Sequence, residues 1–396
     1  VPSKDAIDLL GQLDGGNNPD YTTTVSDNGD TTPPNNKGFN FTGGGNADFN
    51  ELSTTLWVAD TANNRVLGFT TDGDYTFDAS DRVADFVLGQ TNLDTNAPGT
   101  LDTQMDTPTD IVAGQDMVIV ADSGNNRVLI FDLTSNPLSE PGTDNPAQYV
   151  LGQTDFGSKT TGNALNQMNN PRGVGFDDSI NLYVVDTGNN RVLGFNGIPG
   201  ANNANAQYVL GQTGPGQSSP SVSATGMNAP EDVTGGMNDA WTHRIFIADT
   251  GNNRVMVFNT SDITEHGVAA AAVLGQPDKD SSDAATSQAG MDTPRGVHYL
   301  YDDGDNNLPG HLYVADTENN RVLVYDLYTG AISDGQDAVG VFGQPDFTSK
   351  NFAWGQDGLR GPTGVAGEHT DVPVTRSFIV DGGNHRVMVH DECPKI

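Results

Sequence analysis

The sequence predicts an all-β chain: a six-bladed β-propeller of four-stranded antiparallel blades, with the last blade completed by the N-terminal strand. Three repeated motifs carry that reading. A hairpin motif occurs six times, as "LWVADTANNRVLGF" (56–69), "VIVADSGNNRVLIF" (118–131), "LYVVDTGNNRVLGF" (182–195), "IFIADTGNNRVMVF" (245–258), "LYVADTENNRVLVY" (312–325) and "SFIVDGGNHRVMVH" (377–390). Between the hairpins stand "FVLGQT" (86–91), "YVLGQT" (149–154 and 208–213), "AVLGQP" (272–277) and "VFGQP" (341–345). Most hairpins are also preceded by a proline-led stretch: "TPTDIV" (107–112), "NPRGVGF" (170–176), "APEDVTG" (229–235), "TPRGVHY" (293–299) and "GPTGVAG" (361–367).

Each motif has the chemistry of one strand type. The hairpin copies are two apolar, β-branched runs around a Gly/Asn-rich turn, which is the pattern of a tight β-hairpin. The proline-led stretch supplies a strand before the hairpin, and the Gly-Gln stretch a fourth strand after it. Arg65, Arg127, Arg191, Arg254, Arg321 and Arg386 are 62 to 67 residues apart. A four-stranded blade usually needs ~40–45 residues, so each unit has room for roughly 20 residues of extra loop.

The ends of the chain fit a closed ring. No Gly-Gln strand follows "VMVH" (387–390), but "AIDLLGQLD" (6–14) offers one at the other terminus. Residues 6–10, with Ile7, Leu9 and Leu10 as their apolar side chains, would complete the sixth blade and protect its edge. The same strand placed in a neighbour's blade would instead build a filament. The chain divides as blades 33–90, 107–153, 170–212, 229–276, 293–344 and 361–390 plus 6–12. Residues 15–50 read as a Gly/Asn/Thr-rich insertion leading into the first blade, with "PPNNKGFNF" (33–41) as a loose version of the proline-led strand.

The core "LYVADTENNRVLVY" (312–325), preceded by a P-x-G-V stretch and followed by "VFGQPDF" (341–347), resembles the NHL repeat. More narrowly, it is similar to the long-period form in exported bacterial NHL-repeat proteins, over nearly the whole chain. The resemblance implies an interaction platform without catalysis, since NHL-type propellers act mainly as such; the fold alone fixes no function.

Bulk composition limits the partners. There are 52 acidic and 18 basic residues, for a formal net charge of −34. A surface this negative repels phosphate backbones, which argues against nucleic-acid binding and suits a secreted, salt-adapted or cation-binding protein. The longest apolar run, "VAAAAVL" (268–274), is far below the ~20 residues a bilayer requires, so no membrane insertion is expected. The chain starts at Val1, and an export signal is expected to have been removed, placing the protein outside the cell or on its surface. With Cys393 as the only cysteine, no intramolecular disulfide and no cysteine-based metal site can form.

The acid and base of each hairpin invite two readings. Asp60, Asp122, Asp186, Asp249, Asp316 and Asp381 end one strand, and the arginine five residues later begins the next. A guanidinium brought back beside the carboxylate can bond it through two parallel hydrogen bonds. Asn63, Asn125, Asn189, Asn252, Asn319 and Asn384 sit in the turn, where asparagine tolerates positive φ. Sixfold repetition favours structural clamps over six ion- or ligand-binding points.

A site is expected where the repeat breaks. The residues after each proline differ: Thr109-Asp110, Arg172-Gly173, Glu231-Asp232, Arg295-Gly296 and Thr363-Gly364. In propellers this position lines the axis. Asp110, Glu231 and Asp232 facing Arg172 and Arg295 would either hold a polar ligand or cation, or solvate themselves. Related six-bladed propellers include lactonases with an axial Glu/Asn/Asp metal site and lyases with axial histidines around zinc. Of the seven histidines here only His298 falls on an axial strand. Zinc catalysis needs about three converging protein ligands, so this set does not look catalytic.

Calcium at a loop is a further candidate, because "TDGDYTFDASD" (71–81, with Asp72 and Asp74) and "DDGDNN" (302–307, with Asp302, Asp303 and Asp305) gather hard oxygen ligands. No cofactor is firmly indicated. Trp57 occupies a repeated strand position, while Trp241 and Trp354 fall in variable loops where a glycan could stack. The expectation is thus a non-catalytic extracellular scaffold whose partner is protein, including its own copies. A metal-dependent lactonase or lyase and a glycan-binding propeller are the alternatives.

Overall fold

Alternation of apolar β-branched residues around a tight turn produces the hairpin from which each blade is built. In the first, Thr55–Asp60 pairs with Arg65–Thr70 so that Asp60 lies opposite Arg65. A single 3₁₀ turn, Thr61–Asn63, reverses the chain, and Asn64 completes it at φ 54°. Left-handed backbone falls on the second asparagine of the pair in five copies (Asn64, Asn126, Asn190, Asn253, Asn320) and on His385 in the sixth. This corrects the expectation for Asn63 and its counterparts, whose amides are turned inward to the acid.

The computed structural model describes residues 5–29, 35–50, 53–71, 77–114, 116–135, 137–138, 145–235, 243–302, 308–327, 332–368 and 376–391. These form six four-stranded antiparallel sheets. Blade 2 runs Pro108–Gly114, Met117–Asp122, Arg127–Asp132 and Tyr149–Leu151. The innermost strands of the six blades contact one another in sequence order around the axis, and the first also meets the last. The chain is a six-bladed propeller.

Both faces of each blade are apolar because both are covered by neighbours. Six hydrophobic clusters result, one in each seam between blades. Trp57 lies buried in the seam between blades 1 and 2.

The N-terminal strand Asp8–Leu10 pairs with Arg386–Asp391, with Leu9 opposite Met388, and so completes the sixth blade of its own ring. Adjacent side chains of a strand point to opposite faces. Leu9 therefore enters the seam between blades 5 and 6, and Leu10 the seam between blades 6 and 1. Ile7 stays 48% exposed. Asp8 receives Arg82 Nε and Nη2 at 2.8 and 2.9 Å, tying the strand to the periphery of blade 1.

Blade 1 departs from its expected start. Its inner strand is Ala47–Asn50, inside the segment read as an insertion, and not the proline-led stretch near 33–41. Three successive glycines with positive φ, Gly43 to Gly45, bring the chain onto the axis where the other blades use proline. Phe39 and Phe41 stack at 5.0 Å between ring centroids and fill the seam between blades 6 and 1.

Candidate functional site: the axial mouth and the clamp network

The acid, the base and the first asparagine of the repeated turn are bonded to one another in every blade. The arginine Nε donates to the aspartate Oδ2 at 2.6–2.8 Å in all six blades, with both side chains fully buried. The contact is through one nitrogen, not the bidentate pair expected, because the outer nitrogens reach backbone carbonyls of the connecting loops. In blade 2, Arg127 Nη1 donates to Thr100 and Phe156 carbonyls at 2.7 and 2.5 Å, and Nη2 to Leu101 and Gln104 at 3.1 and 2.8 Å. The same clamp thus holds the loop entering its blade and the loop leaving it.

The remaining positions tie blade to blade. Asn125 donates to Asp122 Oδ2 and to the Gly99 carbonyl, both at 2.8 Å. Asn126 Oδ1 accepts from the Asn170 N–H at 2.8 Å, at the entry to blade 3, and Ser123 Oγ donates to the Pro171 carbonyl. In the sixth blade His385 Nδ1 takes over the acceptor role, from Phe41 N–H at 3.1 Å; burial lowers the imidazole pKa and keeps that nitrogen unprotonated. The Gly-Gln stretch completes the network. Gly152 has φ 85° and lies where a Cβ would meet Met168 Sδ at 2.8 Å, while Gln153 Nε2 bonds the carbonyls of Asn126 and Thr160.

Burial pushes the clamp carboxylates up and the adjoining guanidinium opposes it. Asp316 reaches about 6 and is ionised at neutral pH.

The five loops that carry an outer strand into the next blade share one geometry. It is marked by hydrogen bonds from Gly99, Gly162, Ser221, Ala285 and Ala353 N–H to the residue six positions later. Each loop's later part donates to the clamp: Asp106, Asn169, Asn228, Asp292 and Arg360 N–H all reach Oδ1 of the clamp aspartate at 2.7 Å.

At the axis the inner strands present two layers. The outer layer forms a shallow mouth rimmed by Gly44, Gly45, Thr109, Arg172, Glu231, Arg295 and Thr363, with Asn46, Asp110 and Asp232 at its floor. Glu231 Oε2 stands 3.4 Å from Arg172 Nε and 3.7 Å from Arg295 Nε. Arg172 Nη2 also donates to the Gly43 carbonyl at 2.7 Å. One carboxylate is therefore shared by two guanidinium groups.

Beneath it lie three buried side chains. Asn46 Nδ2 donates to Asp110 Oδ1 at 2.7 Å and to Asp232 Oδ2 at 3.2 Å. The Asn46 amide is oriented by its own backbone, because Ala47 N–H donates to its Oδ1 at 2.9 Å. Asp110 Oδ2 accepts from Val174 N–H and Asp232 Oδ2 from Val297 N–H, at 2.7 and 2.8 Å, so each carboxyl also binds the following blade. Blades 3, 5 and 6 have Gly173, Gly296 and Gly364 at this level; a Cβ on the first two would press on the backbone of the next blade's inner strand, and Gly364 leaves space for Asn46. A Cβ on Gly364 would come within 2.0 Å of Asn46 Oδ1.

Burial drives both carboxyls up. Asp232 is raised to about 7, and Asp110 well above its ordinary value, first by burial and then by the neighbouring Asp232 charge. Both shifts favour keeping a proton on the pair as pH approaches neutrality.

Of the residues expected at the axis, Asp110, Arg172, Glu231, Asp232 and Arg295 come together there. His298 does not line the mouth. It stands two residues further along its strand, against Gly367, where burial lowers its pKa to about 4 and holds it neutral. Asn46 was not foreseen, because blade 1 lacks the proline. Distance along the chain would have found it: Asn46 precedes Asp60 by 14 residues, between the 12 from Asp110 to Asp122 and the 17 from Asp232 to Asp249. Asp72, Asp74, Asp303 and Asp305 lie outside the described residues, as do Trp241 and Cys393, and Asp302 ends the inner strand of blade 5. Among the described residues no group of three or more His, Cys, Asp or Glu is placed to hold a metal ion. No described helix is long and apolar enough to cross a membrane.

The six sheets and their axial mouth place the chain in a class, the six-bladed propellers. An auxiliary nutrient binding protein from Bacteroides ovatus matches with a TM-score of 0.55 and 10% identity, over 98% of this chain and 77% of that one. One from Bacteroides thetaiotaomicron matches with a TM-score of 0.53 and 13% identity, over 98% and 76%. A streptogramin B lyase matches with a TM-score of 0.46 and 11% identity, over 88% and 93%. At these identities the likeness is one of fold. No protein-family model and no curated protein matches the sequence.

Proposed function

We propose that the protein is an NHL-type propeller that serves outside the cell as a non-catalytic binding and assembly scaffold, with other copies of its own chain among its partners. The observation that carries this reading is the internal neutralisation of the axis. Glu231 stands within ion-pair distance of both guanidinium groups of the mouth, without a hydrogen bond to either Nε, and the Asn46 amide bonds both carboxyls beneath it. A propeller enzyme needs free acids, bases or metal ligands at that place. In all six blades the acid–base motif is bound to its own partner and to backbone carbonyls of the connecting loops. What the ring offers to a partner is its loops and a strongly acidic exterior, with 34 net negative charges that keep it apart from nucleic acid and suit an exported location. Two of the similar folds are described as auxiliary nutrient binding proteins, which agrees with a binding role.

Size-exclusion light scattering and electron microscopy of the exported protein test the proposal. Assemblies larger than the 41.7 kDa chain, unchanged by Arg172→Ala, are the expected result. Discrete single-chain particles that turn over a lactone or a cyclic ester, with turnover lost in Arg172→Ala or Glu231→Gln, would overturn it in favour of an axial enzyme.

A further inference from the structure

The repeat breaks at a second place, on the loop into blade 6. Where the other four matched loops carry Thr100, Asn163, Val222 and Thr286, this one carries Trp354. Two residues earlier Phe352 replaces Pro98, Thr161, Pro220 and Ala284. At the position that donates to the clamp, Arg360 replaces Asp106, Asn169, Asn228 and Asp292. Two aromatics and a base thus gather on one loop of an acidic protein.

Trp354 is 60% exposed and Phe352 57%. The Arg360 guanidinium lies 5.5 Å from the Phe352 ring centroid. Exposed indole is unfavourable in water and is normally buried. Here the backbone on both sides of it is fixed. Ala353 carbonyl accepts from Asn384 Nδ2 at 3.1 Å, and Gly355 carbonyl from Arg386 Nη2 at 3.0 Å, both members of the buried blade-6 clamp. A rigid surface aromatic loses little conformational entropy when a ligand covers it, which is how binding sites are preorganised.

We infer that Trp354 is the platform of a carbohydrate site that takes neutral sugar rings; the inference rests on the scaffold reading and names one partner class for it. Three features select that occupant. Stable protein interfaces need ~800 Å² per partner around an apolar centre, whereas the exposed apolar groups of this loop are two rings, set among exposed Asn351, Asp357 and Arg360. A pyranose has a C–H face that covers one indole and edge hydroxyls that meet such polar groups. The net charge of −34 opposes anionic polysaccharides and is indifferent to neutral ones.

Affinity electrophoresis of the intact protein in gels containing laminarin, glucomannan, xylan or dextran provides the test, with polygalacturonate as the anionic control. Retardation by at least one neutral polysaccharide is expected, with none by polygalacturonate. Trp354→Ala should weaken it at least tenfold without lowering the melting temperature, and Trp354→Phe should keep part of it. Absence of retardation in all four gels, or full retardation of Trp354→Ala, would overturn the sugar site. If Trp354→Ala instead changes only the mass seen by light scattering, the site belongs to a protein partner: the sugar assignment then fails while the scaffold reading survives. Failure of the scaffold reading has a separate signature, turnover that depends on Arg172 and Glu231.

Discussion

The buried arginine of each hairpin is the residue on which most of the network depends. Removing it leaves a carboxylate at zero exposure and unbinds the loops on both sides. Loss of one partner from a buried pair costs ~3–5 kcal/mol. Arg254→Ala is therefore expected to lower unfolding stability by about that amount in guanidinium denaturation; a loss under ~1 kcal/mol, the range of a surface pair, would reject the clamp. Arg254→Lys should recover little, because a lysine ammonium cannot reach the carboxylate and the carbonyls of Lys279, Ser223 and Gly226 together. At the axis the relevant variable is pH. Asp232 and Asp110 both titrate higher in the folded chain than the ~3.9 of an unfolded aspartate. The folded state thus binds the extra proton, and the stability it contributes is complete below about pH 4 and lost as pH rises through about 7. The melting temperature should fall between pH 5 and pH 8.5, and fall less in Asp110→Asn, which replaces the shared proton with an amide donor. Repulsion among surface acids acts on both proteins, so the difference reports the pair. An identical pH dependence in the two would refute the shared proton.

At the scale of elements, the closing strand has the most to lose. Leu9 and Leu10 are fully buried in two different seams, so Leu10→Ala should cost ~2–5 kcal/mol. Deleting residues 1–14 should destabilise the ring, and a peptide covering residues 5–14 added in trans should raise its melting temperature again. No recovery at saturating peptide would show that closure needs more than this strand. The hairpins and outer strands are legible in the sequence because their signals are local: alternation, a turn, and a glycine that must adopt positive φ. Blade 1 was misplaced for the same reason. Its inner strand, Ala47–Asn50, has no proline before it, and three glycines supply the entry instead. The second asparagine of each turn was likewise indistinguishable from the first until the hydrogen bonds separated them, one inward to the acid and one across to the next blade.

For the whole molecule, charge and ring closure act together. A net charge of −34 on one ring is self-repulsive, and salt screens it over a Debye length of ~8–10 Å near physiological ionic strength. The melting temperature is expected to rise from 10 mM to 150 mM NaCl; a fall would mean that surface ion pairs, such as Lys279 with Asp334, outweigh the repulsion. The six apolar seams join every blade to two others, so unfolding should be one cooperative transition by fluorescence and by circular dichroism alike.

The sequence by itself determined the number of blades, the hairpin in each, and the complementary ends that close the ring. All of these follow from patterns within a few residues or from counting repeats. The tertiary structure decided which unlike residues meet. Asn46 is separated from Asp110 by 64 positions and from Asp232 by 186, yet its amide bonds both. Only a closed ring, which turns inner strands of blades 1, 2 and 4 toward one axis and leaves glycine in the blades between, brings those three side chains into contact.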